Sequence, residues 1–152
     1  MKAMIAAAML SLGLLPASAP AAAGKATPAE AVAMVQRAKA LIQSAGRERA
    51  FAAIADPANR DFHDRDLYIF VYSLNGVALT HGNNPKMVGR QLITMKDNEG
   101  KLIIKEMTAI AKNHGRGWLD YKWPNPVTKE VESKAAYVEK LDDMLIGSGI
   151  YR

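Results

Sequence analysis

The chain has 152 residues, a net charge of +5, 49% apolar residues and no cysteine. That length buries one core and falls short of two comfortable ones. The missing cysteine excludes disulfide staples, thiol nucleophiles, thiolate zinc sites and haem attachment, and charges that alternate in sign without a basic cluster argue against nucleic acid as a partner.

Met1 and Lys2 supply a short basic start, Ala3 to Leu15 form an apolar run, and Pro16 to Ala23 is a small-residue segment with Ala-x-Ala cleavage choices. This is the layout of a secretory signal peptide, whose apolar run is too short to span a bilayer as a stable helix. The expectation is cleavage near Ala23, with retention as an anchor as the alternative. Removing residues 1–23 takes away one lysine and leaves 19 basic against 15 acidic residues, a charge of +4. A mild positive field suits an anionic ligand. Residues 24–152 are expected to form a single domain, soluble and either periplasmic or secreted.

Thr27-Pro28-Ala29-Glu30 reads as a helix start: a threonine cap, proline at the first helical position and a glutamate three residues after the cap. Val32, Val35, Ala38, Ile42 and Ala45 then recur at helical spacing until Gly46. A second short helix is predicted over Arg49 to Ala55, and "ANRDFHDRD" reads as a loop. From Leu67 to Tyr72, "LYIFVY" is apolar at both parities, which predicts a central strand covered on both faces. Asn75-Gly76 supplies a tight turn into the returning strand "VALTH".

The next stretch, "GNNPKMVGRQLITMKDNEG", is dense in turn formers and predicts loop with a short helical turn. Ile103, Met107, Ile110 and Ala111 share one stripe of a helix that ends at His114-Gly115. Three strands follow, over Gly117 to Trp123, Val131 to Lys140 and Met144 to Tyr151. Two leading strands, three closing ones and covering helices make an α+β layer arrangement.

Five ordered blocks, "DLYIFVYSLNGVALTHGNNPKMVGRQL", "DNEGK", "GRGWLDYKWPNP", "SKAAYVEK" and "GSGIY", resemble the single Cache domains of the second type, extracytoplasmic sensor modules of bacterial chemoreceptors and histidine kinases. The resemblance implies a PAS-like five-stranded antiparallel sheet of order 2-1-5-4-3, with a long N-terminal helix on one face and a ligand pocket on the other. A receptor of this family continues past its last strand into a membrane helix and a signalling module, whereas this sequence stops at Arg152. The expectation is therefore binding, with a membrane sensor protein as a possible partner for transduction.

Candidate ligand-binding residues concentrate in "GWLDYKWPNP". In a strand Leu119, Tyr121 and Trp123 share one face, and Trp118, Asp120 and Lys122 the other. The rings either pack core or wall a pocket, and the resemblance favours a pocket lined by Trp118 or Trp123 together with Tyr121. It also implies a role for Lys134, a lysine before the tyrosine-valine pair, facing a carboxylate. Strict alternation puts Lys134 and Tyr137 on opposite faces, so both line one site only if their strand carries a bulge. His81 ends the second strand at the expected rim.

The three histidines lack metal-ligand spacing. "GSG" at 147–149 lacks the Gly-x-Ser-x-Gly frame, "DNEG" at 97–100 lacks a calcium-loop ligand series, and Asp142-Asp143 reads as a turn pair. Neither enzyme chemistry nor a cofactor or metal is expected. The leading expectation is an exported module that binds a small organic carboxylate. The alternative is an interaction protein whose Pro28 to Ala45 helix pairs with a twin or docks on a membrane receptor, with no ligand of its own.

Overall fold

The computed structural model describes residues 24–152, so the signal-peptide assignment lies outside the described residues. Helix α1 (Pro28–Ala45) starts on the expected capping box: Glu30 N–H donates to Thr27 Oγ1 at 3.3 Å and Thr27 N–H donates to Glu30 Oε2 at 2.7 Å. It stops at Gly46, whose φ of +84° disfavours side chains and turns the chain directly into α2 (Arg47–Ala55). That direct turn is why α2 begins two residues before the predicted Arg49.

The predicted loop "ANRDFHDRD" holds a small ladder, β1 (His63–Asp64) paired with β2 (Leu67–Tyr68). Arg65 turns it with φ +56° and is held by ion pairs to Glu30 and Asp64. The predicted strand Leu67 to Tyr72 divides at Ile69, whose carbonyl accepts from Gly82 N–H, into β2 and β3 (Phe70–Ser73). A Gly76 turn leads to β4 (Ala78–His81). Residues 82–102 are irregular apart from a 3-10 turn at Pro85–Met87, and α3 (Ile103–His114) follows. The long strands β5 (Arg116–Pro124), β6 (Val131–Leu141) and β7 (Met144–Tyr151) close the domain.

The main sheet is antiparallel with order β4-β3-β7-β6-β5. Counted over its five strands this is 2-1-5-4-3, as the resemblance implies. Two separate apolar cores lie on its faces. On one, α1 packs Ala31, Met34, Val35 and Ala38 against Ile69, Val71, Ile146 and Ile150. On the other, α3 and the irregular segment cover Phe70, Tyr72, Tyr121, Val138 and Leu145.

The parity of the sequence decides which residue goes where. In "LYIFVY" Leu67, Ile69 and Val71 face the α1 side, while Tyr68, Phe70 and Tyr72 face α3. One side of this segment is all aliphatic and the other all aromatic.

Candidate functional site

The aromatic face carries a cation. Lys134 on β6 is 1% exposed, and its ammonium donates to the Tyr68 hydroxyl at 2.8 Å. It also lies 4.0, 4.9 and 5.6 Å from the ring centroids of Tyr68, Tyr151 and Phe70, close enough for cation–π attraction. Among the described residues no carboxylate oxygen lies within ion-pair distance of it. Burial pushes its pKa down to about 7, partly opposed by the charge of Asp66.

Asp66 is itself 4% exposed, and its Oδ1 finds no hydrogen-bond partner among the described residues. An uncompensated buried cation is costly. An arriving anion would relieve that cost.

The hydroxyls around Lys134 form a directed chain. Tyr151 donates to the carbonyl of Pro124 at 2.8 Å, which uses its only proton. In the 3.3 Å contact between Tyr68 and Tyr151, Tyr68 must then be the donor. Its oxygen is left to accept from Lys134. Burial raises both phenol pKa values, so the two rings stay protonated.

Room for the lysine comes from β7. A Cβ on Gly149 would lie 2.9 Å from Lys134 Cε, and one on Gly147 would lie 2.2 Å from Phe70 Cε2. "GSGIY" therefore places two bare positions and a tyrosine on the cavity face.

His81 reaches the same face through an irregularity in β4. Phe70 pairs with His81 and Val71 with Thr80, but Tyr72 pairs with Ala78, so Leu79 is an extra residue. Without it, Ala78 and His81 would point to opposite faces. The imidazole is 2% exposed and lies 5.3 Å from the Tyr68 ring and 6.2 Å from that of Phe70.

Both Asn83 N–H and Asn84 N–H donate to His81 Nδ1, at 3.3 and 3.0 Å. That nitrogen is therefore unprotonated and the proton sits on Nε2. Burial, aided by the charge of Lys134, pushes the pKa down to about 3. His81 thus offers a neutral N–H donor.

A cavity of about 10 Å³ lies beside this cluster, walled by Tyr68, Phe70, Tyr72, His81, Tyr121 and Trp123 and closed by Ile103, Ile104 and Met107 of α3, with Lys134 against its Tyr68 wall. It has room for about one water. The Tyr72 and Tyr121 hydroxyls line it without a hydrogen bond to another described residue, and burial keeps both protonated. His81 Nε2 and the two hydroxyls each have a proton to donate. An acceptor-only guest, such as a carboxylate, would satisfy them.

The expected residues divide. His81, Tyr121 and Trp123 line the cavity, and Lys134 reaches its Tyr68 wall. Trp118 and Tyr137 do not: the register of β6 with both neighbours runs unbroken from Lys134 to Tyr137, so alternation puts Tyr137 on the α1 side. Trp118 is its cross-strand partner there, 42% exposed, with ring centroids 5.5 Å apart. Tyr137 donates to Glu139 Oε2 at 2.7 Å, and the same carboxylate accepts from Gln36 and Lys39.

The bulge that co-locating Lys134 and Tyr137 required exists in β4, not β6, and it serves His81. Sequence reasoning missed Tyr68, Phe70, Tyr72, Tyr151 and the α3 wall. The signal was present, in the strict aromatic parity of "LYIFVY" and the spacing of "GSGIY".

Among the described residues, no group of three or more histidine, aspartate or glutamate side chains could hold a metal, and no helix is long and apolar enough to cross a membrane.

Comparison with known proteins follows the same lines. The family model for the Cache domain matches residues 30–152. The methyl-accepting chemotaxis protein McpP of Pseudomonas putida is 32% identical over 91 residues, 59% of this chain and 17% of McpP. This chain therefore spans less than a fifth of that receptor.

Two solved structures have TM-scores of 0.64 and each aligns over 78% of this chain. One is a periplasmic sensor domain of a chemotaxis protein, 28% identical and covered to 85%. The other is a Cache chemosensory domain described for its carboxylic acid recognition, 27% identical and covered to 83%.

Proposed function

Since this chain belongs to the Cache domain family, we propose that it is an extracytoplasmic sensing domain that binds a short organic acid between the aromatic face of its sheet and α3. The observation that carries this reading is Lys134: a buried lysine with no carboxylate partner among the described residues, near neutral donors that also lack acceptors there. The acid's carboxylate takes the place at Lys134 now held by the Tyr68 oxygen and accepts from His81 Nε2 and the Tyr72 and Tyr121 hydroxyls. Its short apolar tail meets Ile103, Ile104, Met107 and Trp123. Charge-assisted hydrogen bonds of this kind contribute roughly 1.5–3 kcal/mol each.

The cavity admits about one water, so binding requires the α3 wall and Tyr68 to move outward. Tyr68 carries the link to Tyr151 and Pro124, and its displacement would transmit occupancy to the ends of β5 and β7. At roughly 1.5 kcal/mol per non-hydrogen atom, an acid of acetate's size reaches about 6 kcal/mol, or tens of micromolar. That strength suits sensing, with rapid release.

The basic, apolar, small-residue leader supports an exported location, as does the likeness to a periplasmic sensor domain. The likeness to a methyl-accepting chemotaxis protein supports a signalling partner. The alternative reading loses its strongest feature, because the apolar stripe of α1 is buried against the sheet of its own domain.

Titration calorimetry of the purified protein against a panel of straight-chain, 2-hydroxy and 2-oxo acids tests the proposal. Saturable heat with at least one of them is expected. Silence across the panel, from protein shown to be folded, removes the reading.

A further inference from the structure

Asp66 does not line the proposed acid cavity. It sits in the turn between β1 and β2, is 4% exposed, and no donor reaches its buried Oδ1 among the described residues. It lines a separate pocket of about 290 Å³ with Gly24, Lys25, Arg65, Asn125 and Val127. We propose that this pocket seats the α-ammonium group of the processed chain, which cleavage after Ala23 creates on Gly24, and that the Asp66 carboxylate pairs with it. This rests on the reading of residues 1–23 as a cleaved leader, and is independent of acid binding.

The polar neighbours are already committed. Arg65 Nη2 donates to Glu30 at 2.7 Å and to Asp64 at 2.8 Å, and its Nη1 donates to the Gly24 carbonyl at 3.4 Å. Asn125 donates to Glu132 at 3.0 Å and accepts from Val127 N–H at 2.9 Å. Lys25 is the rival cation, on an exposed side chain.

Gly24 is held in place before α1 begins. Arg65 grips its carbonyl, Ala26 is buried in the α1-side core, and Thr27 caps the helix. An amine there is a fixed group, not the end of a fraying tail. A Cβ on Gly24 would meet nothing within 4 Å, so the amine has room to turn toward Asp66.

Ala21-Ala22-Ala23 supplies the Ala-x-Ala cleavage pattern directly before Gly24. Hydrolysis of the Ala23–Gly24 amide consumes one water, leaves a carboxylate on Ala23 and turns a neutral N–H into a cation with three donors. A buried carboxylate without a donor is the acceptor such a group requires.

The exported protein, purified and read by mass spectrometry, should start at Gly24. In 13C-labelled protein the Gly24 Cα resonance then reports the titration of its amine, whose charged surroundings are Lys25, Glu30, Asp64, Arg65, Asp66 and Glu132. It should titrate about one pH unit above the ordinary value of about 7.7–8.0 and return toward it in Asp66→Asn. A chain extended by Ala22-Ala23 should have a folding equilibrium constant about tenfold lower than the Gly24 form. Lys25→Gln should leave the stability of the Gly24 form unchanged.

The proposal is overturned if the exported chain starts elsewhere, if the amine titrates at its ordinary value, if the extension costs nothing, or if Lys25→Gln brings the tenfold loss. The wild-type titration and the extension both keep Asp66, so they decide the matter even if Asp66→Asn does not fold. Calorimetry against the acid panel on the same preparations is a separate readout, so either reading can fail alone.

Discussion

The two faces of the one sheet are built on opposite principles. Facing α1, the buried carboxylate at the seam is answered: Glu139 accepts from Tyr137, Gln36 and Lys39, and the aliphatic residues pack with alanines. Facing α3, Lys134 has one neutral acceptor, and His81, Tyr72 and Tyr121 surround a small void with protons to donate. The first face is a completed core. The second keeps buried polar groups without protein partners among the described residues, the arrangement that the proposed carboxylate would complete. A polar residue near an aromatic cluster is therefore not in itself a sign of function, whereas an unanswered one is.

The sharpest way to break this contrast is Lys134→Met. Acid binding should fall by about 2–5 kcal/mol, beyond detection by calorimetry, because the buried charge provides the specificity. The same change should stabilise the unliganded fold by about 1–4 kcal/mol in denaturant, since an apolar chain of similar length no longer suffers desolvation. A destabilised variant would mean that Lys134 belongs to the structure as Glu139 does.

Gly149→Ala comes next. Its Cβ would approach the Ala135 carbonyl oxygen to 2.6 Å and Lys134 Cε to 2.9 Å. A loss of about 1–3 kcal/mol in unfolding free energy is expected, together with weaker acid binding. Unchanged values for both would show that the lysine stem has slack.

Lys134 also sets the pH response. Its pKa is about 7 when folded against 10.5 for a free lysine, so the unfolded chain binds more protons between those values and stability rises with pH across that window. Wild-type stability should therefore climb relative to Lys134→Met from pH 7 toward 10. Affinity for carboxylates should fall about tenfold per pH unit above roughly pH 7 as the ammonium is lost. His81, at about 3, stays neutral between pH 5 and 7 and adds no slope there.

The smallest effects belong to the completed face. Tyr137→Phe removes one hydrogen bond to Glu139 and should cost about 1 kcal/mol of stability. Trp118→Ala, at an exposed position, should change stability less. Neither should alter acid affinity, and a change in either would mean that the two faces communicate.

The fold was more legible than the site. Periodicity and punctuation mark the elements locally, as in the Thr27 cap, the Asn75-Gly76 turn and the alternation of β5. The site depends on register, which is not local. Tyr137 follows the lysine by three residues and shares its face only across a bulge, and the unbroken ladder of β6 keeps the two apart. His81 joins the site only because Leu79 is a bulge, which no composition rule announces. The parity of Tyr68, Phe70 and Tyr72 is readable, but apolar character at both parities signals only a central strand until the register is known.

Trp123 lines the cavity, while Trp118, five residues earlier on the same strand, looks out on the opposite side. The protein thus carries its own optical reporter and its own reference. With Trp118→Phe, the remaining indole emission would track occupancy of the pocket in a cuvette, and no dye need be attached to follow an acid arriving and leaving in real time.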